Sequence, residues 1–177
     1  MKNISILCAT ALAMAMPSVA QAANFGTAGT YVFEGSVEVK KNLPSWTTCD
    51  LTLTIKVDGS GAAAADASLS GAFPCSGITF STPDFAMDGF GNPVSVLVMY
   101  DVTTNIPAIV IPPNINLPAD ACSGDIYALW NSSNPTPREI EFQDPLSDTP
   151  GVSGGPNCKI KGTVYQTSGP TNLTITP

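Results

Sequence analysis

The chain has 177 residues, with seven Lys and Arg against 14 Asp and Glu, and its formal net charge at neutral pH is −7. The charged residues are scattered and no basic patch is predicted, which argues against nucleic acid and anionic lipid headgroups as partners. The sequence has no histidine, so nucleophilic triads that use histidine as the base are excluded.

The first 22 residues have the features of a secretory signal peptide. Lys2 supplies the positive start, residues 4–16 form a short apolar stretch, and the small residues AQA precede a cleavage point after Ala22. A membrane anchor is the alternative, but no later segment approaches the roughly 20 continuous apolar residues that a span requires. We therefore predict export, loss of Cys8 with the signal, and a single domain at residues 23–177.

Alternation of apolar and polar residues predicts strands from residue 31 onward. In residues 31–40, Tyr31, Phe33, Val37 and Val39 fall on one face and charged or small side chains on the other. Trp46 follows in a proline-containing connection, where it is a candidate contact for an apolar or carbohydrate ligand.

Residues 49–70 could form a helix or a β-hairpin. The odd positions of residues 49–57 are apolar and the even ones polar, and DGSG at 58–61 supplies turn residues. The alanines that follow favour a helix, but their run between Gly61 and Gly71 is too short to nucleate one. We predict a hairpin that sets Cys49 near residue 71, so that reaching Cys75 requires a bulge or the start of a new strand.

Further strands are predicted along the rest of the chain, separated by three long turn-rich connections at residues 81–93, 111–125 and 144–157. The segment 93–103 is apolar on both faces, as in a strand that is covered on each side or that leaves one apolar face exposed. Trp130 shares a face with Ile126 and Ala128, which predicts a core position. No amphipathic helix is evident, so the predicted fold is all-β, an antiparallel β-sandwich or partly open barrel of about 8–10 strands. The remaining strands are expected at residues 77–81, 106–111, 125–131, 138–143, 158–166 and 172–176.

An even number of cysteines in the exported chain predicts two disulfides. We favour the sequential pairs Cys49–Cys75 and Cys122–Cys158, although four cysteines allow three connectivities. A metal site would need closer cysteine spacing or histidine.

Two pairs of carboxylates could act as a glycosidase pair: Asp84 with Asp88, and Asp144 with Asp148. Asp84 and Asp88 could also join a calcium site with the DGFGN segment at 88–92. Each has a turn-forming Pro or Gly nearby and no apolar surroundings to raise its pKa, so surface turns are the preferred interpretation. We therefore assign no catalytic residue, no metal ligand and no cofactor.

The order of the sequence features resembles a known family. Cys49 begins a strand that runs into LTIKVDGSGAAAADASLSG, and Cys75 follows GAFP. Cys122 lies in ACSGD, ahead of ALWN, and Cys158 opens CKIKGTV. This layout is similar to that of the secreted activators of alkane oxidation, the PraB-like proteins.

The resemblance implies a small, secreted, non-enzymatic protein that promotes growth on hydrocarbons at an oil–water or cell-surface interface. Its partner would be hydrocarbon or an apolar interface, or other surface proteins, and its location extracellular, periplasmic or on the cell surface. Trp46, Ile109 and Ile111 are then the candidate apolar contacts. The alternative is an adhesin or pilus-like subunit that assembles through edge strands such as residues 172–176, and a polymer hydrolase is a more remote third hypothesis.

Overall fold

In a computed structural model, eleven strands and one 3-10 helix form the regular structure of the described residues, which are 23–41, 45–80, 85–90, 95–112, 115–130, 136–143 and 159–176. The short helix is Cys75–Gly77. The strands are β1 Gly29–Lys40, β2 Thr47–Val57, β3 Ala63–Ser70, β4 Thr79–Phe80, β5 Phe85–Phe90, β6 Ser95–Ile106, β7 Ile109–Ile111, β8 Ile115–Leu117, β9 Asp120–Trp130, β10 Glu139–Phe142 and β11 Lys159–Ser168.

Eight of these strands close into an antiparallel barrel. Their order around it is β6-β5-β3-β2-β1-β11-β10-β9, and β9 pairs back with β6 to complete the ring. Strand β4 lies beside β6 at one end, and β7 pairs with β8 in a separate two-stranded sheet. The all-β prediction is confirmed. Of the two predicted architectures, sandwich and partly open barrel, the structure shows a barrel, and this barrel is closed.

Alternation along the strands sets the inside and the outside of the barrel. Every odd residue of β2 from Cys49 to Val57 is buried, and in β1 Tyr31, Phe33 and Val37 are buried as predicted. In β6 the register shifts between Met99 and Val102, and this bulge keeps both residues in the core.

The segment from 47 to 70 forms the predicted hairpin. Leu51 pairs with Leu69 and Val57 with Ala63 across a turn at residues 58–62. In the turn, the carboxylate of Asp58 accepts hydrogen bonds from the hydroxyl and the backbone N–H of Ser60, and these bonds lower the pKa of Asp58. Local turn bonding and cross-strand pairing therefore outweigh the helix propensity of the alanines.

Cys49 and Cys75 form the predicted disulfide, with their Cα atoms 5.5 Å apart. The chain reaches Cys75 through a turn at residues 71–74 and the 3-10 helix, so the expected bulge or new strand is wrong. A sequence separation of 26 residues corresponds to about 3.5 kcal/mol in the chain-entropy model. Cys122 is also disulfide-bonded, whereas Cys158 lies outside the described residues, so the Cys122–Cys158 pair stays a prediction.

The sequence patterns mislead in three places. The connection predicted at 111–125 contains β8, which pairs with β7, and the first six residues of β9, which pairs with β6. Strand β5 lies inside the connection predicted at 81–93, because its pairing with β3 and β6 overrides the turn preference of Asp88 and Gly89. Residues 172–176 form no strand; only Thr176 makes an isolated bridge, to Asn24. This segment crosses the end of the barrel and buries Leu173 and Ile175, which explains its alternation.

Candidate functional site

One end of the barrel, here called the sealed end, is filled by large side chains. Phe33 and Trp130 meet edge to face with ring centroids 6.3 Å apart, and Trp130 is a core residue as predicted. Phe25, Tyr31 and Leu173 are fully buried. This half of the barrel therefore has the packed interior expected of a small eight-stranded barrel.

Both terminal segments of the described chain close the sealed end. Asn24 and Thr176 exchange backbone hydrogen bonds of 2.7 and 2.9 Å, and the N–H of Phe25 donates to Gly61 O. The backbone N–H of Ala23, the first residue after the predicted cleavage point, donates to Oδ1 of Asp88 at 2.8 Å. These bonds hold Phe25 and Leu173 over the core.

The opposite half, here called the open end, contains a cavity of about 90 Å³ that opens to solvent. The inward side chains of β1, β2 and β3 here are aliphatic, because the aromatic residues of β1 lie at the sealed end, while Phe80 and Phe142 are the aromatic residues of the lining. The disulfide end of the β2–β3 hairpin, the 3-10 helix and β7 complete its wall. Its lining residues are Val39, Lys40, Lys41, Thr47, Leu51, Leu53, Ala67, Leu69, Pro74, Ile78, Phe80, Met99, Thr104, Ile106, Ile109, Cys122, Ile126, Phe142, Lys159 and Ile160.

The wall of the cavity is almost wholly apolar. Thr47 and Thr104 are the uncharged polar residues of the lining, and the charged residues are the three lysines. The described lining residues include no carboxylate. Such a wall can take up an apolar molecule and remove it from water.

Three lysines belong to the cavity lining, namely Lys40, Lys41 and Lys159. Together with Lys161, their neighbour in the β1–β11 register, they are here called the lysine rim. The β1–β11 register sets Lys40 opposite Lys159 and Glu38 opposite Lys161. These are four of the seven Lys and Arg residues of an acidic chain. Folding thus brings together two short basic segments that are distant in sequence.

Two carboxylates accompany the lysine rim in the described residues. Lys161 Nζ lies 2.8 Å from Glu38 Oε2, and Lys41 Nζ lies 2.8 Å from Asp120 Oδ2. Lys40 and Lys159 face each other in the strand register next to these two ion pairs.

The Lys41–Asp120 ion pair spans a split in the barrel wall. In the described residues β10 pairs with β9 only at Trp130 and Leu129. The first half of β9 therefore has no pairing with β10 at the open end. Lys41, at the end of β1, reaches across to Asp120 and also donates to the carbonyl of Ala121. The hydrogen bond from Lys41 lowers the pKa of Asp120, which keeps this carboxylate charged in mildly acidic solution.

Exposed apolar side chains flank the mouth. Phe73 is 58% exposed and Val110 68% exposed, and each is the sequence neighbour of a lining residue, Pro74 or Ile109. Tyr165, 46% exposed, is the other large exposed hydrophobic residue found in the described part of the chain, and it pairs with Glu34 and Glu139 away from the mouth. The cavity therefore opens beside apolar surface.

The sequence-predicted contacts fall in different places. Ile109 is buried in the cavity wall. Trp46 is not part of the lining; Lys161 Nζ lies 4.5 Å from its ring centroid and Lys40 Nζ 5.9 Å. Ile111 ends β7 and its side chain is not described. Contact of these three residues with a ligand stays a prediction.

Of the four candidate carboxylates, the structure describes Asp88. Asp88 Oδ1 accepts the N–H groups of Ala23 and Gly89, which is a structural role. Asp84, Asp144 and Asp148 lie outside the described residues. Over the part of the chain that is described, no group of three or more His, Cys, Asp or Glu is placed to hold a metal ion.

Sequence reasoning missed the cavity and the lysine rim. A partial signal for the cavity existed, because the aromatic residues of β1 are confined to its first half while aliphatic residues continue to its end. No comparable signal existed for the lysine rim, which depends on the register between the first and last strands.

Comparison with known proteins gives a family but no characterised relative. No curated protein and no solved structure matches the chain. No helix long and apolar enough for a membrane span occurs in the segments that the structure describes. The family model described as alkane oxidation protein activator PraA/PraB-like matches residues 1–177. The chain therefore belongs to the PraA/PraB-like family of alkane oxidation protein activators.

Proposed function

We propose that this protein promotes alkane oxidation without catalysing it, by holding the end of an aliphatic hydrocarbon chain in the cavity at the open end of the barrel. The observation that carries the proposal is the apolar cavity itself, which opens to solvent in a protein of the alkane oxidation activator family. Small eight-stranded barrels can hold one small ligand in this position.

The energetics favour such a ligand. Each methylene group that moves from water into an apolar site contributes about 0.8 kcal/mol, so a short alkyl chain gains several kcal/mol. The lining residues Leu51, Ala67 and Met99 offer contacts without a directional requirement, and this suits a molecule that has no polar group.

In this proposal the protein is exported, by the predicted signal peptide, and works where hydrocarbon meets water or the cell surface. Phe73 and Val110 would touch the hydrocarbon phase while the acidic remainder stays hydrated. The Cys49–Cys75 disulfide braces the wall of the open end against unfolding during adsorption.

Assembly through edge strands has less support. Each of the eight barrel strands pairs with a neighbour on both sides. Among the described residues, strand addition would have to use the short β4 edge, the β7–β8 sheet or the first half of β9, which has no β10 partner. We therefore do not extend the proposal to an adhesin or pilus subunit.

Dye displacement tests the proposal. The mature protein, beginning at Ala23, would be loaded with a neutral fluorescent probe such as N-phenylnaphthylamine and titrated with decane. We expect decane to displace the probe and to raise the melting temperature, since a ligand at a hundred times its dissociation constant adds about 2.7 kcal/mol of stability.

A cavity-filling variant and its neighbour provide the control. Ala67→Phe places a ring in the cavity and should abolish displacement while the barrel stays folded, and Leu69→Phe serves as a second filling variant. Ser68→Phe adds the same ring to the exposed face of the same strand and should bind as the wild type does. Equal binding by all variants, or no binding of decane by the wild type, would overturn the proposal.

A further inference from the structure

We infer that Met99 sets the length of the alkyl segment that the cavity accepts, so that the protein holds the methyl end of an unbranched chain and leaves the rest outside. This inference rests on the proposed function and deepens it, because it names the part of the ligand that enters and the residue that stops it. It is carried by the place where the cavity lining ends inside the barrel.

The lining ends at two cross-strand pairs of side chains. Met99 of β6 pairs with Ile126 of β9, and both belong to the lining. Leu53 of β2 pairs with Ala67 of β3, and both also belong to it. On each of these strands the named residue is the lining residue nearest the sealed end, and the four together are here called the cavity floor.

The next pairs toward the sealed end do not face the cavity. Leu97 pairs with Ala128, and Ile55 pairs with Ala65. All four side chains are fully buried and lie outside the lining. An alkyl chain that enters from the mouth therefore stops at the cavity floor, because the barrel behind the floor is packed.

Met99 is the member of the cavity floor that can adapt its shape. Its side chain is unbranched and 2% exposed, and methionine fills irregular gaps by changing its rotamer. Ile126 is branched at Cβ and is therefore stiff, and Ala67 has no side-chain rotamer to change. The β6 register also shifts between Met99 and Val102, so the backbone beside Met99 departs from the regular ladder. The depth open to a chain thus depends mainly on Met99.

An apolar floor selects the end of the chain that enters. A hydroxyl or carboxylate group placed against Met99 and Leu53 would lose its water without gaining a hydrogen bond from these side chains, whereas a methyl group loses nothing. A polar group at the far end of the chain stays in water. The cavity should therefore take the methyl ends of hydrocarbons and of chains that carry a polar group at the opposite end.

A series of primary alkanols from butanol to dodecanol tests the inference by displacement of N-phenylnaphthylamine from the mature protein, below the concentrations at which the alkanols aggregate. Each added methylene group should raise the affinity about fourfold until the chain reaches Met99. Longer alkanols should then bind no more tightly, so that the affinity reaches a plateau. An affinity that rises through the whole series would overturn the inference, because the chain would then have no fixed stop.

A smaller side chain at the cavity floor should move the plateau. Met99→Ala should shift it to longer chains and raise the affinity for the longest alkanols about tenfold, since the vacated space takes up about two further methylene groups. Val98→Ala is the matched control, because Val98 is fully buried on the same strand but lies outside the lining and the barrel core. It should leave the plateau in place. Equal shifts in both variants would overturn the inference, because the effect would then be a general loosening of β6.

NMR of the methionine methyl groups tests the same point without changing the cavity. The chain from Ala23 onward contains two methionines, Met87 and Met99. Met87 is also buried but does not line the cavity, so its signal is an internal reference, and Met99→Leu assigns the two signals. We expect the Met99 signal to shift with alkanols long enough to reach the plateau and to shift less with shorter ones. Equal responses of the two methionines, or none from Met99, would contradict its role as the stop.

The outcomes separate the inference from the proposed function. If decane and the alkanols displace the probe but Met99→Ala leaves the plateau unchanged, the inference is wrong and the proposed function stands. If neither decane nor any alkanol displaces the probe, the proposed function fails together with the inference.

Discussion

Gly162 permits a close approach of the first and last strands. Its φ is +134°, and a Cβ atom would lie 2.7 Å from Ser36 O and 2.9 Å from Val37 Cα. Both neighbours are backbone atoms that cannot move without shifting β1. This single residue therefore helps to fix the β1–β11 register on which the lysine rim depends.

We predict that Gly162→Ala lowers the free energy of unfolding by about 1–3 kcal/mol, the cost of a strained backbone conformation. Urea denaturation monitored by tryptophan fluorescence measures the change. Gly59→Ala is the matched control, because a Cβ at Gly59 meets nothing within 4 Å, and its stability should be that of the wild type. Equal effects of the two substitutions would contradict the role assigned to Gly162.

Asp88 gains a positively charged partner only if the chain is cleaved as predicted. Removal of residues 1–22 converts the backbone N–H of Ala23, which is 2.8 Å from Asp88 Oδ1, into an ammonium group. An ion pair at the sealed end would then replace a neutral donor.

Asp88→Asn should therefore destabilise the mature chain that begins at Ala23 more than it destabilises the full-length chain. The expected difference is about 1 kcal/mol, the typical gain when a hydrogen bond acquires charge. Thermal unfolding of the four proteins gives the comparison. The prediction fails if the substitution costs the two chain lengths the same.

At the scale of strands, the sequence predicts most elements and little of the site. Alternation of apolar and polar residues identifies β1 and the β2–β3 hairpin, because one face of each strand is buried and the other is more exposed to solvent. Strand β5 carries Asp88 and Gly89, and only its neighbours β3 and β6 make it a strand. Whether the inner face is filled or empty depends on side chains from eight strands meeting inside the barrel, which no local pattern encodes.

The split between β9 and β10 makes the open end dependent on one ion pair. Lys41 has a side chain only 10% exposed, whereas Asp120 is 48% exposed, so the ammonium group is held inside and the carboxylate comes to it from solvent. Loss of the charge on Asp120 would leave Lys41 with the carbonyl of Ala121 as its described acceptor.

The pH dependence of stability should report this ion pair. The folded-state pKa of Asp120 is below the ordinary value of 3.8, so its stabilisation is complete above that pH and is lost as the pH falls through the folded-state pKa. We expect Asp120→Asn to have a lower melting temperature than the wild type at pH 6, and the difference to shrink below pH 3.8. A difference that is constant from pH 6 to pH 3 would show that the charge of Asp120 does not matter.

At the scale of the whole molecule, apolar exposure is concentrated on one side. Phe73 and Val110 adjoin the mouth, and the lysine rim lies on the same end of the barrel. The sealed end carries the terminal segments instead. Among the described residues, Phe73 and Val110 therefore give the open end of the barrel exposed apolar surface beside its lysines.

Adsorption to an alkane–water interface should depend on these two side chains. Phe73→Ser with Val110→Ser should raise the protein concentration needed to lower the interfacial tension by about tenfold or more, because each side chain loses roughly 1.5–3 kcal/mol of burial in the apolar phase. Pendant-drop tensiometry measures this effect. Tyr165→Ser removes the comparably exposed side chain away from the mouth and should leave the curve unchanged; if it matches the double variant, adsorption has no preferred end.

The pairing of Asn24 with Thr176 brings the two ends of the described chain together at the sealed end. An anchor, fusion partner or immobilising tag joined at either terminus would thus be attached at the sealed end. Such a tethered barrel would point its lysines and its entrance outward, toward arriving droplets, whichever terminus holds it.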